Sequence, residues 1–164
     1  MFRIDISLQS VCSITPELLE SMGVKGLLLD IDNTLTTHDN PRPAPGVETW
    51  VRKMKEEGIR LFLVSNNHPP RVRPFAKLLG IDYVCEGKKP LSKGFREARA
   101  AMELKKSELA AVGDQIFTDV LAANWFGVKM IYVKPMEMEK TAFFKFKRAM
   151  EKPFLPKKFS DSEV

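Results

Sequence analysis

Several features that define whole classes of protein are scarce or missing in this 164-residue chain. Its two cysteines, Cys12 and Cys85, form no C-x-x-C pair, so we expect two packed, reduced thiols rather than a disulfide framework or a zinc site. No apolar run approaches the ~18 residues that span a bilayer, and the N-terminus shows no apolar segment behind a basic leader. A P-loop kinase is excluded because the motif G-x-x-x-x-G-K-S/T is absent. We therefore expect a cytoplasmic globular protein.

The excess positive charge is confined to the C-terminal part of the chain. The formal net charge is +5, and the segment from Lys134 to Lys158 contains eight Lys/Arg and three Glu, which accounts for the whole surplus. The composition, 44% hydrophobic and 29% charged, is that of an ordinary globular protein, and the length suits one domain. We predict a single domain over residues 1–140, followed by a basic, aromatic tail over residues 141–164.

Short apolar segments alternate with helical patterns through most of the chain. Thr15, Pro16 and Gly23 have the properties of an N-cap, a first helical residue and a helix stop. The patterns predict strands at 26–31, 59–64, 83–85, 109–112 and 128–133, and helices at 16–22, 46–57, 72–79, 91–104 and 119–126. Apolar strands that alternate with helices indicate an α/β fold, a parallel sheet with helices on both faces in three layers. Trp125 and Phe126 are expected in the core.

Polar side chains follow four of the predicted strands at the point where each strand ends. In open α/β sheets, ligands bind outside the carboxyl ends of the strands, so these side chains should meet at one edge. The residues concerned are Asp30 and Asp32, then Ser65 and Asn66, then Lys88 and Lys89, and finally Asp114 and Asp119. Carboxylates, a hydroxyl and lysines at one edge predict a site for phosphate and metal.

Asp30 and Asp32 are two residues apart on an extended segment, so their carboxylates leave the same side of the chain. Carboxylates that close repel each other unless a cation is present, and Mg²⁺ takes oxygen ligands while leaving positions open for phosphate oxygens. Asp114 would supply a third carboxylate. One carboxylate can attack phosphorus, and a second acid can protonate the leaving alcohol and then activate water. Ser65 and a lysine can stabilise the transferring phosphoryl group.

Four segments resemble, in order, the motifs of phosphatases of the haloacid dehalogenase (HAD) superfamily. The segment 30–35 looks like the D-x-D-x-T-L opening motif, 64–67 like the second motif, 89–90 like the third and 113–119 like the fourth. The resemblance covers roughly residues 24–135. The strings DIDNTLT, SNN, KKP and GDQIFTD are similar to the YqeG-like group of subfamily IIIA, which is related to phosphatidylglycerophosphate phosphatases.

The resemblance implies a role for each motif residue. Asp30 would be the nucleophile and a Mg²⁺ ligand. Asp32 would be the general acid and base, with its backbone carbonyl also on the metal. Asp114 would bind Mg²⁺, and Asp119 would act from behind the ligands or, alternatively, only cap the helix that follows. The substrate-binding residues would be Thr34, which supports the loop, together with Ser65, Asn66 and Lys89. Lys89 would also be catalytic and balance charge, and the adjacent Lys88 is the alternative to it.

No cap domain is expected over the site. Many phosphatases of this superfamily insert a cap after the first or the third strand, but the segments 33–45 and 67–88 are too short to hold one. By family analogy, an open site suits a large substrate or one presented at a surface, and a second subunit is an alternative source of cover. His38 and His68 lie in loops near the site and are more typical of solvated loop residues than of substrate ligands.

The tail permits two interpretations. It interleaves Phe143, Phe144, Phe146 and Phe154 with Lys140, Lys145, Lys147, Arg148, Lys152, Lys157 and Lys158. These residues are typical of a terminal helix packed on the domain, and they would also suit an interfacial segment whose aromatic rings enter anionic lipid headgroups. The second interpretation predicts peripheral contact with an anionic membrane.

The predicted function is a Mg²⁺-dependent phosphomonoester hydrolase that forms an aspartyl-phosphate, with an unassigned substrate. The first alternative is a phosphatidylglycerophosphate phosphatase at the membrane surface. An alternative of another class is a non-catalytic module that binds phosphate or nucleic acid. Such a module would tolerate loss of the nucleophile or a metal ligand, whereas Asp30 and Asp114 are both present, and no nucleic-acid-binding motif is found. A receiver-type signalling domain would carry its phosphorylated aspartate after a later strand.

Overall fold

Apolar segments form a six-stranded parallel sheet in the computed structural model, which describes residues 2–136 and 142–160. The strands are β1 (Ile6–Leu8), β2 (Gly26–Leu29), β3 (Arg60–Val64), β4 (Asp82–Val84), β5 (Leu109–Gly113) and β6 (Lys129–Val133). Their order across the sheet is β1-β6-β5-β2-β3-β4, and every neighbouring pair is parallel. The predicted parallel α/β sheet is confirmed, and β2 lies in its interior between β5 and β3.

Strand β1 was not predicted from the sequence. It pairs in register with Ile131–Val133 of β6 and extends the sheet beyond that strand. A three-residue segment has too few positions to show a period, and its partner lies near the other end of the domain. The strand is therefore a product of long-range pairing.

Helices cover both faces of the sheet. They are α1 (Pro16–Met22), α2 (Val47–Glu56), α3 (Pro69–Leu79), α4 (Lys93–Met102), α5 (Leu121–Phe126) and α6 (Ala142–Glu151). Buried side chains of α1, α2 and α3 share one core with Leu27, Leu29 and Leu63. Those of α4 and α5 share a second core with Leu28 and Phe62. Successive residues of one strand thus face opposite cores, as both faces of a covered sheet require.

Helix α1 shows how local sequence sets helix ends here. The Thr15 Oγ1 atom accepts a hydrogen bond from the Leu18 N–H, and Pro16 is the first helical residue. Gly23 ends the helix in the left-handed region at φ 71°, which glycine adopts without steric cost. All three positions confirm the predicted start and stop.

Two helix predictions need correction. Helix α3 begins at Pro69, three residues before the predicted start, because prolines in a first turn lack only N–H groups that would have no helical partner. The chain before α5 forms a wide helical turn over Ile116–Val120.

Trp125 is 63% exposed, so its predicted core position is wrong, whereas Phe126 is buried. Adjacent helical residues point about 100° apart, and only one of the two faces the sheet.

No inserted domain interrupts the described chain after β2 or after β4, which confirms the capless fold. Loops alone connect β2 to α2 and β4 to α4. Among the described helices, none combines the length and apolar character needed to cross a bilayer.

The C-terminal segment contacts the domain through its described part. Phe154 packs edge-on against Phe2 and Phe117, with ring centroids 4.8 Å and 6.0 Å away. Leu155 and Phe159 pack against the second core, and the Ser160 N–H donates to the Ser7 carbonyl. Lys140 and the side chains of Phe143, Phe144 and Lys147 lie outside the described part of the structure.

Candidate active site

The chain turns sharply after β2, and this turn carries the first two carboxylates. Asn33 adopts φ 61°, and its N–H donates to the Thr36 carbonyl over 2.6 Å. Asp32 and Thr36 form an isolated bridge that closes the turn. The result is a compact loop at the carboxyl edge of the sheet, with Asp30 and Asp32 both facing the open cleft.

Lys89 lies between two of the carboxylates. Its Nζ atom donates to Asp30 Oδ1 over 2.9 Å and to Asp119 Oδ1 over 2.6 Å, and only 3% of its side chain is exposed. Burial alone would lower the pKa of Lys89, but the carboxylates of Asp119 and Asp30 hold it above its ordinary value. Lys88 is exposed. The cation next to Asp30 is therefore that of Lys89.

Asn66 fixes the backbone of Lys89. The Asn66 side chain accepts from the Lys89 N–H over 2.7 Å and donates to the Lys89 carbonyl over 3.0 Å. Ser65, at the end of β3, is buried, and its Oγ atom accepts from the Asn67 N–H. The segment after β3 thus contributes one hydroxyl to the cleft and one amide that positions the lysine from the next loop.

Asp114 and Asp119 approach from the end of β5, and both are buried. Asp119 also accepts from the Gln115 N–H over 3.2 Å, so its carboxylate is held at the site rather than at the first turn of α5. Gly113 makes room for it, because a Cβ at that position would lie 2.3 Å from the Asp119 Cγ atom. Glycine at the end of β5 is therefore required by this close approach.

Three carboxylates converge in the site. One ligand atom each from Asp30, Asp114 and Asp119 lies within 4.8 Å of the others. Burial raises the pKa of Asp30 to about 7; the negative charge of Asp119 adds to the increase, and Lys89 opposes it. Burial likewise raises the pKa of Asp114 well above its ordinary value, although the Arg148 guanidinium opposes this. Burial is thus the main cause of both increases, and a cation close to these carboxylates would oppose them.

The cluster fits a hard divalent cation. Such cations take carboxylate oxygens, and Asp114 Oδ1 is buried without a hydrogen-bond partner in the described part of the chain. A buried oxygen of this kind is costly unless a donor or cation meets it. We take this atom as the observation that favours a metal ligand at Asp114.

Arginines from two helices also contact the site aspartates, and neither arginine is predicted from the sequence to lie at the site. Arg71, in the first turn of α3, donates from Nη2 to Asp32 Oδ1 over 2.8 Å. Arg148 of α6 forms an ion pair with Asp114 Oδ2. Nothing in the local sequence separates Arg71 from nearby Arg73, which instead contacts Tyr83.

The cleft above these groups is open and has a volume of about 290 Å³. His38 and His68 line it together with Gln115 and Thr118, so both histidines lie at the site although their sequence context indicated solvated loop positions. Thr34 is buried in the loop after β2, as a supporting residue would be, and its hydroxyl has no hydrogen-bond partner among the described residues.

A parallel sheet with carboxylates, a buried lysine and a serine at its carboxyl edge is typical of hydrolases that cleave phosphate esters. The comparisons agree with this class. The family model for "haloacid dehalogenase-like hydrolase" matches residues 37–127. The Bacillus subtilis (strain 168) protein named "Probable phosphatase YqeG" is 39% identical over 94% of this chain and 90% of its own length.

Other similar proteins cover less of their own length or show the fold alone. The "Phosphatidylglycerophosphate phosphatase 1, chloroplastic" of Chlamydomonas reinhardtii is 29% identical over 72% of this chain and 47% of its own. A haloacid dehalogenase-like hydrolase of Brucella suis 1330 matches in structure with TM-score 0.59 and 13% identity, over 76% of this chain and 88% of its own. The chain belongs to the haloacid dehalogenase-like hydrolase family, and its enzyme class is that of the family's phosphatases.

Proposed function

We propose that this protein is a Mg²⁺-dependent phosphomonoesterase that works through a phosphorylated Asp30. The observation that carries the proposal is the buried contact of Lys89 Nζ with Asp30 and Asp119, next to an Asp114 oxygen that has no hydrogen-bond donor among the described residues. The carboxylates of this arrangement could bind a divalent cation. Lys89, which contacts Asp30, could bind a phosphoryl group attached to that residue.

The metal-binding residues in this proposal are Asp30, Asp114 and the backbone carbonyl of Asp32. When bound, Mg²⁺ would neutralise the carboxylates and the phosphoryl oxygens as charge moves between them. The chain supplies the remaining electrostatic stabilisation. Lys89 would bind a phosphoryl oxygen, Ser65 would donate its hydroxyl to another, and Asn66 would hold Lys89 in place.

The reaction would proceed in two displacements at phosphorus. Asp30 attacks, the bond from phosphorus to the ester oxygen breaks, and Asp32 gives its proton to the leaving alcohol. Asp32 then takes a proton from water, which attacks the phosphorylated Asp30 and releases inorganic phosphate. Asp119 contributes indirectly, because it accepts hydrogen bonds from Lys89 Nζ and from the Gln115 N–H. Arg71 donates a hydrogen bond to Asp32 Oδ1 and would hold that carboxylate in position for both proton transfers.

The test is hydrolysis of p-nitrophenyl phosphate by purified protein. We expect turnover with Mg²⁺, none with EDTA, and a loss of several powers of ten in Asp30→Asn, because a nucleophile acts as part of a unit. Beryllofluoride with Mg²⁺ should bind the wild type as a mimic of phosphorylated Asp30. Wild-type turnover retained in Asp30→Asn would contradict the assignment.

A lipid phosphate is the second candidate substrate class. It is supported by the similarity to the Chlamydomonas phosphatidylglycerophosphate phosphatase, by the open cleft, and by exposed Phe146 and Met150 beside exposed Lys145 and Lys152. Release of inorganic phosphate, measured with phosphatidylglycerophosphate in vesicles and with soluble sugar phosphates, distinguishes lipid from soluble substrates. Preference for the soluble esters would remove the lipid candidate and leave the phosphatase assignment in place.

A further inference from the structure

Helix α6 reaches the proposed metal site from outside the part of the chain that matches the family model, which ends at residue 127. Arg148 contacts Asp114 twice. Its Nη1 atom donates to the Asp114 carbonyl over 2.8 Å, and its Nη2 atom forms an ion pair with Asp114 Oδ2. Both the main chain and the side chain of this aspartate are thus held by one planar guanidinium.

Glu151, three residues further along α6, holds the next part of the same loop. It is fully buried, and its Oε1 atom accepts from the N–H groups of Ile116 and Phe117 over 3.0 Å and 3.3 Å. Its Oε2 atom accepts from Arg148 Nη1 over 3.2 Å. A buried carboxylate is tolerated only with such compensation, so the pair is a specific connection between α6 and residues 114–117.

The two oxygens of Asp114 are divided between different surroundings. Oδ2 is bound by Arg148, and Oδ1 is the buried atom without a partner in the described chain. Because one oxygen is fixed, the direction of the other is fixed as well. Gln115 and Thr118, which flank the two residues bound by Glu151, line the cleft.

We propose that Arg148 and Glu151 are positioning residues of the metal site, which orient Asp114 Oδ1 toward the cation. This inference rests on the proposed function and deepens it, because it makes the C-terminal helix a part of the site. Partners behind metal ligands commonly change metal affinity about 10–100-fold when they are removed.

Arg148 could change the affinity for Mg²⁺ through its charge or through the position in which it holds Asp114, and the two effects predict opposite changes. A guanidinium next to a ligand withdraws negative charge, so if charge alone mattered, Arg148→Gln would tighten Mg²⁺ binding and Arg148→Lys would leave it unchanged. If Arg148 acts by position, both variants weaken binding, since a lysine lacks the planar fork that reaches the carboxylate and the carbonyl together. The sign of the change therefore decides between the two.

The experiment is calorimetric titration of Mg²⁺ into the metal-free full chain, without substrate. We expect Arg148→Gln to raise the dissociation constant about tenfold or more, Arg148→Lys to raise it less, and Glu151→Gln to raise it as well. Arg52→Gln, an exposed arginine on α2, is the matched control and should bind as the wild type does. The contacts of Phe154 and Ser160 do not involve Arg148, so α6 should stay attached in these variants.

Thermal unfolding in EDTA separates a purely structural role. A lower Tm with an unchanged dissociation constant would overturn the inference, and so would tighter binding in Arg148→Gln; if that variant does not fold, Arg148→Lys decides by the same criterion. A wild type that neither binds Mg²⁺ nor hydrolyses p-nitrophenyl phosphate would overturn the proposed function and this inference together. Wild-type activity with unaffected variants would overturn the inference alone.

Discussion

Lys88 and Lys89 are adjacent in sequence, but only Lys89 reaches the carboxylates. Lys88 is exposed at φ 57°, and this turn of the backbone lets the next side chain point inward. The Pro90 that follows Lys89 favoured this choice from sequence, yet the doublet left the alternative open. The buried contact of Lys89 with Asp30 and Asp119 makes it the residue that we propose for charge balance.

The two lysines provide a matched pair of variants. We expect Lys89→Met to lower kcat by about 10²–10³-fold, because the phosphoryl group loses a buried donor, while Lys88→Met leaves kcat near the wild-type value. The metal-free Tm of Lys89→Met should also fall, since two buried carboxylates lose their shared cation. Steady-state kinetics and thermal unfolding check both. A damaging Lys88→Met with a silent Lys89→Met would show that the third-motif lysine is misassigned by one residue.

The end of β5 is the element whose geometry depends most on a single small residue. Asp114 follows the strand directly, and the wide turn over Ile116–Val120 brings Asp119 back over Gly113. This return lets one strand end supply two carboxylates to the cluster. The spacing of Asp114 and Asp119 in the fourth motif thus depends on a turn that requires glycine at position 113.

Gly113→Ala tests this packing. The added methyl group would overlap the Asp119 carboxylate, displace it from Lys89 and from the Gln115 N–H, and reduce kcat by up to about 10²-fold. Gly127→Ala is the matched control. Gly127 has open space at its Cβ position but adopts φ 89°, so an added Cβ should lower Tm. It precedes the first residue of β6, at the end of the strand away from the carboxylates, so the change should leave kcat unaffected. Equal kcat losses in both variants would contradict a specific role for Gly113.

The buried carboxylate cluster should make the stability of the protein depend on pH. Burial raises the pKa of Asp30 to about 7, whereas a carboxyl in the unfolded chain titrates near 4. Between these values the native state holds more protons than the unfolded state, so the free energy of unfolding falls as pH rises. Burial raises the pKa of Asp114 in the same direction.

We therefore expect the Tm of metal-free protein to fall as pH rises from about 5 to about 8, with a smaller fall in Asp30→Asn. In the proposed site Mg²⁺ would bind the ionised carboxylates, so it should raise Tm more at pH 8 than at pH 5.5. Thermal unfolding in EDTA and in Mg²⁺ across this range measures both effects. A wild-type Tm in EDTA that rises through the same window, and a Mg²⁺ effect independent of pH, would contradict the assignment.

The parts of this protein that depend on local chemistry could be predicted from the sequence. Thr15, Pro16 and Gly23 specify one helix through capping and left-handed backbone, and apolar runs followed by Asp30 and Asp114 specify buried strands that end in acid. Because parallel strands end at the same edge, the convergence of the site residues followed from the alternation alone. Family motifs at those ends then indicated the reaction class.

Contacts between residues far apart in the chain could not be predicted from the sequence. The pairing of β1 with β6, the contact of Arg71 with Asp32 and the reach of Arg148 and Glu151 to residues 114–117 have no local pattern. Trp125 and Phe126 are equally apolar, and the sheet accepts only Phe126. The physical reason is that burial and ion pairing depend on which surfaces meet, and that is set when the whole chain has folded.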